Sequence, residues 1–296
     1  MILALRALGL GDLLTVVPAV RGLRRAYPDH ELVLATPAVL APLVDAIGGV
    51  DRLLPTEAYV RAPMDRLPSP GGRPDVAVNL HGRGPQSHLA LLAHRPLRLV
   101  GYDLPGGPQW SDGVHEVERW CRLVGPDAAP DDLDLPPPPP VDGWRDAVVV
   151  HPGASGPERC WPVPRFGALA RRLAGSGRQV LITGGAGERG RALAVARAAG
   201  LPDSTVLAGD TDLTALAALV AHASLVVCGD TGVAHLATAY RTPSVVLFGP
   251  VSPALWGPPA RPEHVALWRG PAGLADITIA DVYAATVEVS HAAAAR

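Results

Sequence analysis

The sequence contains no lysine: all 26 of its basic side chains are arginines. A lysine Schiff base and a lysine general base are therefore excluded, and arginine must supply any cation that binds phosphate. With 28 acidic residues the net charge is −2, so the chain lacks the concentrated basic face of a nucleic-acid-binding protein. We accordingly expect no nucleic acid among its partners.

Cysteine is scarce, and long apolar runs are absent. The three cysteines, Cys121, Cys160 and Cys228, have no CxxC spacing, which argues against a disulfide framework and against a zinc site. No run of about 18 uncharged apolar residues could form a transmembrane helix. Arg6 and Asp12 interrupt the apolar N-terminus, which argues against a signal peptide. We expect a soluble cytoplasmic protein, with at most peripheral contact at the inner face of a membrane.

Aromatic residues make up only 4% of the chain, so alanine, valine and leucine must fill its cores. Short apolar strands alternate with amphipathic helices along 296 residues, which predicts parallel, doubly wound α/β sheets. Five consecutive prolines at 136–140 interrupt this alternation, because such a run cannot sit inside a helix or a sheet. The predicted organisation is an N-terminal domain (1–135), a stiff linker (136–143), a C-terminal domain (144–275) and a last helix (276–296) that crosses back to the first domain.

Two loops of the second half suit a bound diphosphate. The run from Gly229 to Leu236 follows a strand and opens a helix, where free backbone N–H groups and the helix dipole attract phosphate. An ordinary strand-to-helix turn, capped by Asp230 or Thr231, explains the same pattern. The loop after His151 offers the Ser155 hydroxyl and the Arg159 guanidinium, which can clamp phosphate oxygens. A plain surface loop remains the alternative.

Two carboxylates also follow strands. Glu188 lies where nucleotide-binding folds often place an acid against ribose hydroxyls, although it equally favours a helix N-terminus. Asp12 follows the first strand and could take a proton from an attacking hydroxyl, or it could simply cap the helix. His81 follows another strand and could touch a substrate. The acidic run from Asp131 to Asp134 is a weaker candidate for metal binding than for a solvated linker.

Four stretches together resemble glycosyltransferase family nine, the heptosyltransferase-like family. They are ILALRALGLGDLLTVVPAVRGLRRAYP, HPGASGPERCWPVPRFGALARRL, VLITGGAGER and GDTGVAHLATAYRTPSVVLFGP, and the likeness runs over nearly the whole chain in the same order. The resemblance implies a GT-B fold, with two Rossmann-like domains facing across a cleft and the donor nucleotide held by the C-terminal domain.

The resemblance also implies roles for individual residues. Asp12 matches the family's general base, and Gly11 and His81 fall on the acceptor side. The positions implied for donor binding are Ser155, Arg159, Glu188, Thr211, Leu213, Asp230, Thr231, Gly232 and His235. No metal site and no cofactor are implied, because the nucleotide-diphosphate sugar, with ADP-heptose favoured, is a substrate.

The sequence departs from the family at several positions. Arg159 stands where heptosyltransferases usually have lysine, and the Gly9–Gly11 loop lacks the small hydroxylated residues that are frequent there. Asn79 to Gly82 replaces an Asp-Leu-Gln-Gly type sequence. Since these last two differences lie on the acceptor side, the acceptor stays open between a glycan, a lipid-linked molecule and a small molecule.

The sequence therefore predicts a metal-independent, inverting glycosyltransferase that moves a heptose or related sugar to an acceptor hydroxyl. A nucleotide-sugar 2-epimerase on the same fold and a non-catalytic nucleotide-sugar-binding protein are the alternatives. A Rossmann dehydrogenase is disfavoured, because GxGxxG is absent after the first strand.

Overall fold

The protein folds into two compact α/β units, Met1–Leu133 and Asp134–Arg296, in a computed structural model that describes residues 1–58 and 66–294. Each unit has its own parallel sheet of five strands. Among the described residues, no helix combines the length and the apolar character needed to cross a bilayer.

The sheet of the first unit has the strand order β3-β2-β1-β4-β5. Valine, leucine and alanine fill these strands, as expected for a parallel sheet that is covered on both faces. The strands are β1 (Ile2–Leu5), β2 (Leu32–Pro37), β3 (Arg52–Thr56), β4 (Val76–Asn79) and β5 (Arg98–Val100).

The described residues of the first unit form the α-helices α1 (Leu10–Thr15), α2 (Val17–Ala26), α3 (Ala41–Ile47), α4 (Gln86–Leu92) and α5 (Glu116–Val124). The helical spacing of apolar residues over 13–27 predicts one continuous helix there, and this prediction is wrong, since the chain forms two helices that break at Val16. Pro18 explains the break, because it has no N–H to continue the hydrogen bonding of α1. The helices α4 and α5 were not predicted.

The sheet of the second unit has the order β10-β9-β8-β6-β7. Its strands are β6 (Val148–His151), β7 (Val180–Ile182), β8 (Leu225–Gly229), β9 (Ser244–Leu247) and β10 (His264–Leu267). Its α-helices are α6 (Val163–Gly175), α7 (Arg189–Ala199), α8 (Leu213–Ala221), α9 (Gly232–Ala239), α10 (Pro253–Trp256) and α11 (Ile279–Ala294).

The last helix, α11, packs against α6 and against β9 and β10 of the second unit. Its residues Val282, Ala285 and Val289 join the same buried cluster as Trp161 and Phe166. The predicted last helix runs to 296, and its last two positions, 295 and 296, lie outside the described residues.

The chain just after the boundary between the units is tied to the second unit. Leu135 donates its backbone N–H to Ala239 O at 2.8 Å, and His222 Nε2 bonds to Pro138 O at 2.7 Å. Arg261 Nη1 forms an ion pair with Asp134 Oδ1 at 2.7 Å. These bonds hold the start of the proline run against α8 and α9.

Both sheets reverse their strand order at one place. Such a topological switch point opens a crevice at the carboxyl ends of the strands, where ligands bind in this class of fold. In the first unit the switch point lies between β1 and β4, and in the second between β6 and β8.

Candidate active site

Three predicted residues meet at the switch point of the second unit. Ser155 and Arg159 lie in the loop after β6, and Asp230 directly follows β8. Arg159 donates from Nη1 to Ser155 Oγ at 2.9 Å and from Nη2 to Asp230 Oδ2. The buried Asp230 carboxylate therefore has a compensating cation, and the guanidinium is held at the mouth of the crevice.

Helix α9 begins beside this cluster, at Gly232. Thr231 is its N-cap residue with an extended backbone, and the Thr231 side chain makes no capping bond to the helix. The Thr231 side chain therefore does not cap the helix, contrary to the alternative interpretation of this turn. The positive end of the α9 dipole lies next to Asp230, as the phosphate-site interpretation requires.

Glu188 takes the structural role predicted for it at a helix N-terminus. Its Oε2 accepts the Gly185 N–H at 2.7 Å, which stabilises the turn that opens α7. The same carboxylate lies against the loop after β6, because a Cβ built on Gly153 would come within 1.9 Å of Glu188 Oε1. Its Oε2 lies 4.0 Å from His151 Nε2.

His151 is a buried part of this site that the sequence did not single out. Its Nδ1 makes a 3.0 Å hydrogen bond with Thr183 Oγ1. Burial lowers the pKa of His151, an effect that the nearby Glu188 carboxylate partly opposes. We expect a neutral ring that supports the first residues of the loop. The only signal in the sequence was a histidine at the end of a strand.

The segment with Thr211 and Leu213 lies next to the Glu188 turn. Gly209 donates its N–H to Gly184 O at 3.0 Å, and Arg189 Nη1 contacts Asp210 Oδ2 at 2.6 Å. Thr211 and Leu213 are half-buried on either side of Asp212, the N-cap of α8. His235 lies in α9, where its ring packs edge-to-face against Trp256 with centroids 6.0 Å apart.

In the first unit, Asp12 is the third residue of α1, and Gly9 is the N-cap. The Asp12 carboxylate accepts the Gly9 N–H at Oδ2 (3.2 Å) and an Arg6 N–H at Oδ1 (3.1 Å). The side chain keeps 28% of its surface exposed. The helix-terminus interpretation is thus correct in part, while the exposed carboxylate remains able to meet a substrate.

Arg6, which sequence reasoning missed, organises this end of the first sheet. Its side chain is 1% exposed and reaches Leu80 O (2.7 Å) beyond β4 and Glu116 Oε1 (3.0 Å) on α5, besides Asp12. Its guanidinium also stacks over the Trp120 ring, 5.0 Å from the centroid. One cation thus joins β1, the loop after β4 and α5 around the Asp12 carboxylate. Nothing in the local sequence separates it from a surface arginine.

His81 and Gly11, the predicted acceptor residues, flank the same switch point. Gly11 precedes Asp12 in α1, and the His81 N–H donates to Asn79 Oδ1 at 3.1 Å. Burial, and then the charge of Arg6, lower the pKa of His81 to about 4. Its buried Nδ1 has no hydrogen-bond partner among the described residues. The ring is therefore neutral at pH 7, and its enclosed Nδ1 is an unsatisfied polar atom at this end of the sheet.

The geometry supports neither metal binding by the acidic run at 131–134 nor a nucleophilic role for Cys121 or Cys228. Asp132 accepts Arg21 at 2.5 Å and Arg25 at 2.9 Å, so the acidic run before the prolines forms ion pairs. No group of metal-ligating side chains occurs within 1–58 and 66–294. Burial raises the pKa of the Cys121 thiol to about 12 and that of Cys228 further, which disfavours either thiol as a nucleophile.

Comparison with known proteins settles the family. The family model described as "Glycosyltransferase family 9 (heptosyltransferase)" matches residues 110–274, more than half of the chain. The chain belongs to glycosyltransferase family 9. The predicted family is thereby confirmed, and a glycosyltransferase is favoured over the epimerase and over a non-catalytic binding protein.

A curated relative from Escherichia coli K12, lipopolysaccharide heptosyltransferase 3, is 26% identical over 297 residues, covering 88% of this chain and 85% of that protein. Another E. coli lipopolysaccharide heptosyltransferase 3 is 32% identical over 128 residues, which span 43% of this chain and only 37% of the relative.

The solved structure of E. coli ADP-heptose lps heptosyltransferase II matches with a TM-score of 0.76 at 23% identity, covering 99% of both chains. E. coli heptosyltransferase WaaC with ADP matches with a TM-score of 0.72 at 20% identity, covering 96% of this chain and 98% of the other. These matches confirm the predicted GT-B fold class.

Proposed function

We propose that this family 9 glycosyltransferase is an inverting heptosyltransferase that uses ADP-heptose. The observation that carries the proposal is the meeting of Ser155, Arg159 and Asp230 at a switch point beside the start of α9. This arrangement offers a hydroxyl, a guanidinium and a helix dipole to a diphosphate. ADP as the nucleotide is supported by the two ADP-related proteins that share the fold.

The donor residues would act on the leaving group. As the bond from the anomeric carbon to the diphosphate oxygen breaks, negative charge grows on that oxygen. Arg159, Ser155 and the N–H groups that open α9 would stabilise this charge, an effect often worth about 10²–10³ in rate for one such group. Glu188 and the Thr211–Leu213 segment would hold the nucleoside, since they adjoin the same crevice.

Asp12 would act on the acceptor. The acceptor oxygen bonds to the anomeric carbon on the face opposite the diphosphate, and its proton passes to an Asp12 carboxylate oxygen. Arg6 would keep that carboxylate oriented through the bond to Oδ1. His81 and Gly11, next to the crevice of the first unit, would contact the acceptor.

The finer assignments follow the relatives. The curated matches are named for lipopolysaccharide, which favours a lipid-linked glycan over a small molecule as the acceptor. A nucleotide-sugar donor is made in the cytoplasm, so transfer would take place there, at the inner face of the membrane. No cofactor has a role in this scheme.

The test separates binding from transfer in one pair of variants. Asp12→Asn should reduce heptosyl transfer from ADP-heptose by about 10²–10⁴, the usual loss when a general base is removed. The same variant should be stabilised by ADP as strongly as the unchanged chain, by about 2.7 kcal/mol at 100 times the Kd. Thermal unfolding with ADP, UDP, GDP and dTDP would measure the second quantity.

Asp29→Asn, at an exposed aspartate, is the matched control and should retain both properties. Equal loss of transfer and of ADP binding in Asp12→Asn would assign Asp12 to the scaffold rather than to the chemistry. Stabilisation by a different diphosphate would overturn the ADP-heptose assignment.

A further inference from the structure

Three large apolar side chains are exposed on one part of the first unit. Leu89 and Leu92 of α4 keep 63% and 47% of their surface exposed, and Leu97, just before the edge strand β5, keeps 65%. They account for half of the six large apolar side chains that are exposed among the described residues. Such grouping on a short stretch of chain indicates an interaction surface.

The three leucines lie on α4 and directly before β5, two elements that pack on one core cluster. Leu89 and Leu92 are three residues apart and therefore share one face of α4. Leu99 packs on the core cluster that contains Ala90 and Leu91 of α4. Leu97 lies two residues before Leu99, directly ahead of β5. We call these three leucines and the arginines around them the α4–β5 surface.

The exposed arginines of this stretch are Arg73, Arg95 and Arg98, of which Arg98, next to Leu99 in β5, points to the opposite face of the sheet. Arg95 follows α4 in a turn where its N–H bonds to Leu92 O at 2.9 Å, and Arg73 Nε donates to Arg95 O at 2.6 Å. Within residues 1–58 and 66–294 none of the three forms an ion pair. The nearby Asp75 is engaged by the amine of Met1 at 2.5 Å.

Positive charge is thus concentrated around exposed leucines in a chain whose net charge is −2. A second copy of the same surface would bring arginines against arginines, which disfavours self-association. An anionic bilayer matches both features, because its headgroups attract arginine and its interfacial region accepts shallow apolar side chains. We propose that the α4–β5 surface docks the protein onto an anionic lipid bilayer.

Docking there would bring the acceptor side of the first unit to the lipid. Helix α4 starts directly after the loop that carries His81, and Leu80 O in that loop accepts Arg6, the partner of Asp12. Delivery of a lipid-linked acceptor rests on the proposed function. The docking itself does not, since it depends only on the surface.

Co-sedimentation of the full chain with vesicles tests the inference. We expect binding to phosphatidylcholine vesicles that contain about 30 mol% phosphatidylglycerol, weakened by salt, and little binding to phosphatidylcholine alone. Leu89→Ser/Leu92→Ser/Leu97→Ser should lower the partition coefficient at least about tenfold. Val39→Ser/Val287→Ser removes exposed valines elsewhere and should bind as the unchanged chain does.

A second pair of variants tests the contribution of positive charge to vesicle binding. Arg95→Gln should weaken binding to the anionic vesicles by about fivefold, whereas Arg145→Gln, at an exposed arginine of the second unit, should leave it unchanged. Equal binding of the two variants would contradict the proposal, as would equal binding of the two serine variants. Sedimentation that reveals a dimer, lost in the leucine variant, would show that the surface binds a second copy instead.

Transfer to a lipid-free acceptor, without vesicles, distinguishes this inference from the proposed function. The leucine variant should keep that activity, and its loss would overturn the docking role. Vesicle binding by a chain that transfers no heptose would leave the docking in place and remove the proposed function.

Discussion

The carboxylate of Glu188 occupies the space that a side chain at position 153 would fill. A glycine is needed there for close approach rather than for an unusual backbone conformation. The space lets the turn after β7 contact the loop after β6, and Glu188 Oε2 lies 4.0 Å from His151 Nε2. At the scale of single residues, the position of the Glu188 carboxylate thus depends on residue 153 having no side chain.

Gly153→Ala should weaken ADP binding while the fold survives, because the atoms that clash belong to the movable tip of Glu188. Displacing a charged hydrogen-bonding group typically costs about 1.5–3 kcal/mol, or at least about tenfold in affinity. Isothermal titration with ADP would measure the loss. Adding Gly153→Ala to Glu188→Ala should cause little further loss, since both changes remove the same contact.

Gly187→Ala is the control for this experiment. It lies in the neighbouring turn, and a Cβ there would meet no atom within 4 Å. Unchanged ADP affinity in Gly153→Ala would mean that Glu188 does not contact the nucleoside.

At the scale of elements, the chemistry lies where strands end and helices begin. Asp230 directly follows β8, whereas Asp12 and Glu188 come after the loops that follow β1 and β7, and each of the three stands in or just before the first turn of a helix. Helix α8 shows the structural contribution that a carboxylate makes in this position. Its N-cap, Asp212, accepts the Ala215 N–H at 2.8 Å and thereby satisfies one free donor of the first turn.

Asp212→Ala should lower the free energy of unfolding by about 1 kcal/mol, the usual loss for an aspartate cap. Asp212→Asn should stay close to the unchanged chain, since asparagine caps equally well. Urea denaturation would give the values, and Asp142→Ala, at an exposed site in the same unit, should change them by less than about 0.5 kcal/mol. A loss as large in Asp212→Asn as in Asp212→Ala would point to charge rather than capping.

At the scale of the whole molecule, buried histidines link stability to pH. Burial lowers the pKa of His88 and His94, as it does for His81 and His151. Folding therefore favours the neutral rings, while the unfolded chain binds protons near the ordinary value of 6.5. Stability is complete above pH 6.5 and falls as the pH drops toward the folded pKa, about 4 for His81.

We expect the melting temperature to fall between pH 6.5 and pH 4, with His81 contributing at most about 3 kcal/mol of the loss. The lowered pKa values of Asp51, Asp75 and Asp281 reduce stability only as the pH falls below about 5, so they overlap only the acid end of this window. His81→Gln should flatten the profile measured by calorimetry. His291→Gln, at an exposed position, should not, and parallel profiles for both variants would refute the assignment.

The sequence by itself determined the two parallel α/β units, the family and most of the candidate site. Apolar strands, glycine turns and capping residues are local patterns, and Asp12, Ser155, Arg159, Glu188 and Asp230 all occur within them. The sequence did not predict the break between α1 and α2, despite the presence of Pro18, because the apolar spacing continues across the break.

Only the tertiary structure decided which residues support these groups. Arg6 and Glu116 are 110 positions apart in the sequence. Their 3.0 Å contact exists because the fold brings the end of β1 close to the start of α5. Burial gave His81 its lowered pKa, and packing brought Glu188 against Gly153. The exposed leucines of the α4–β5 surface likewise became visible only once the sheet and α4 were in place. Such long-range contacts and burial depend on the whole fold, and no local pattern encodes them.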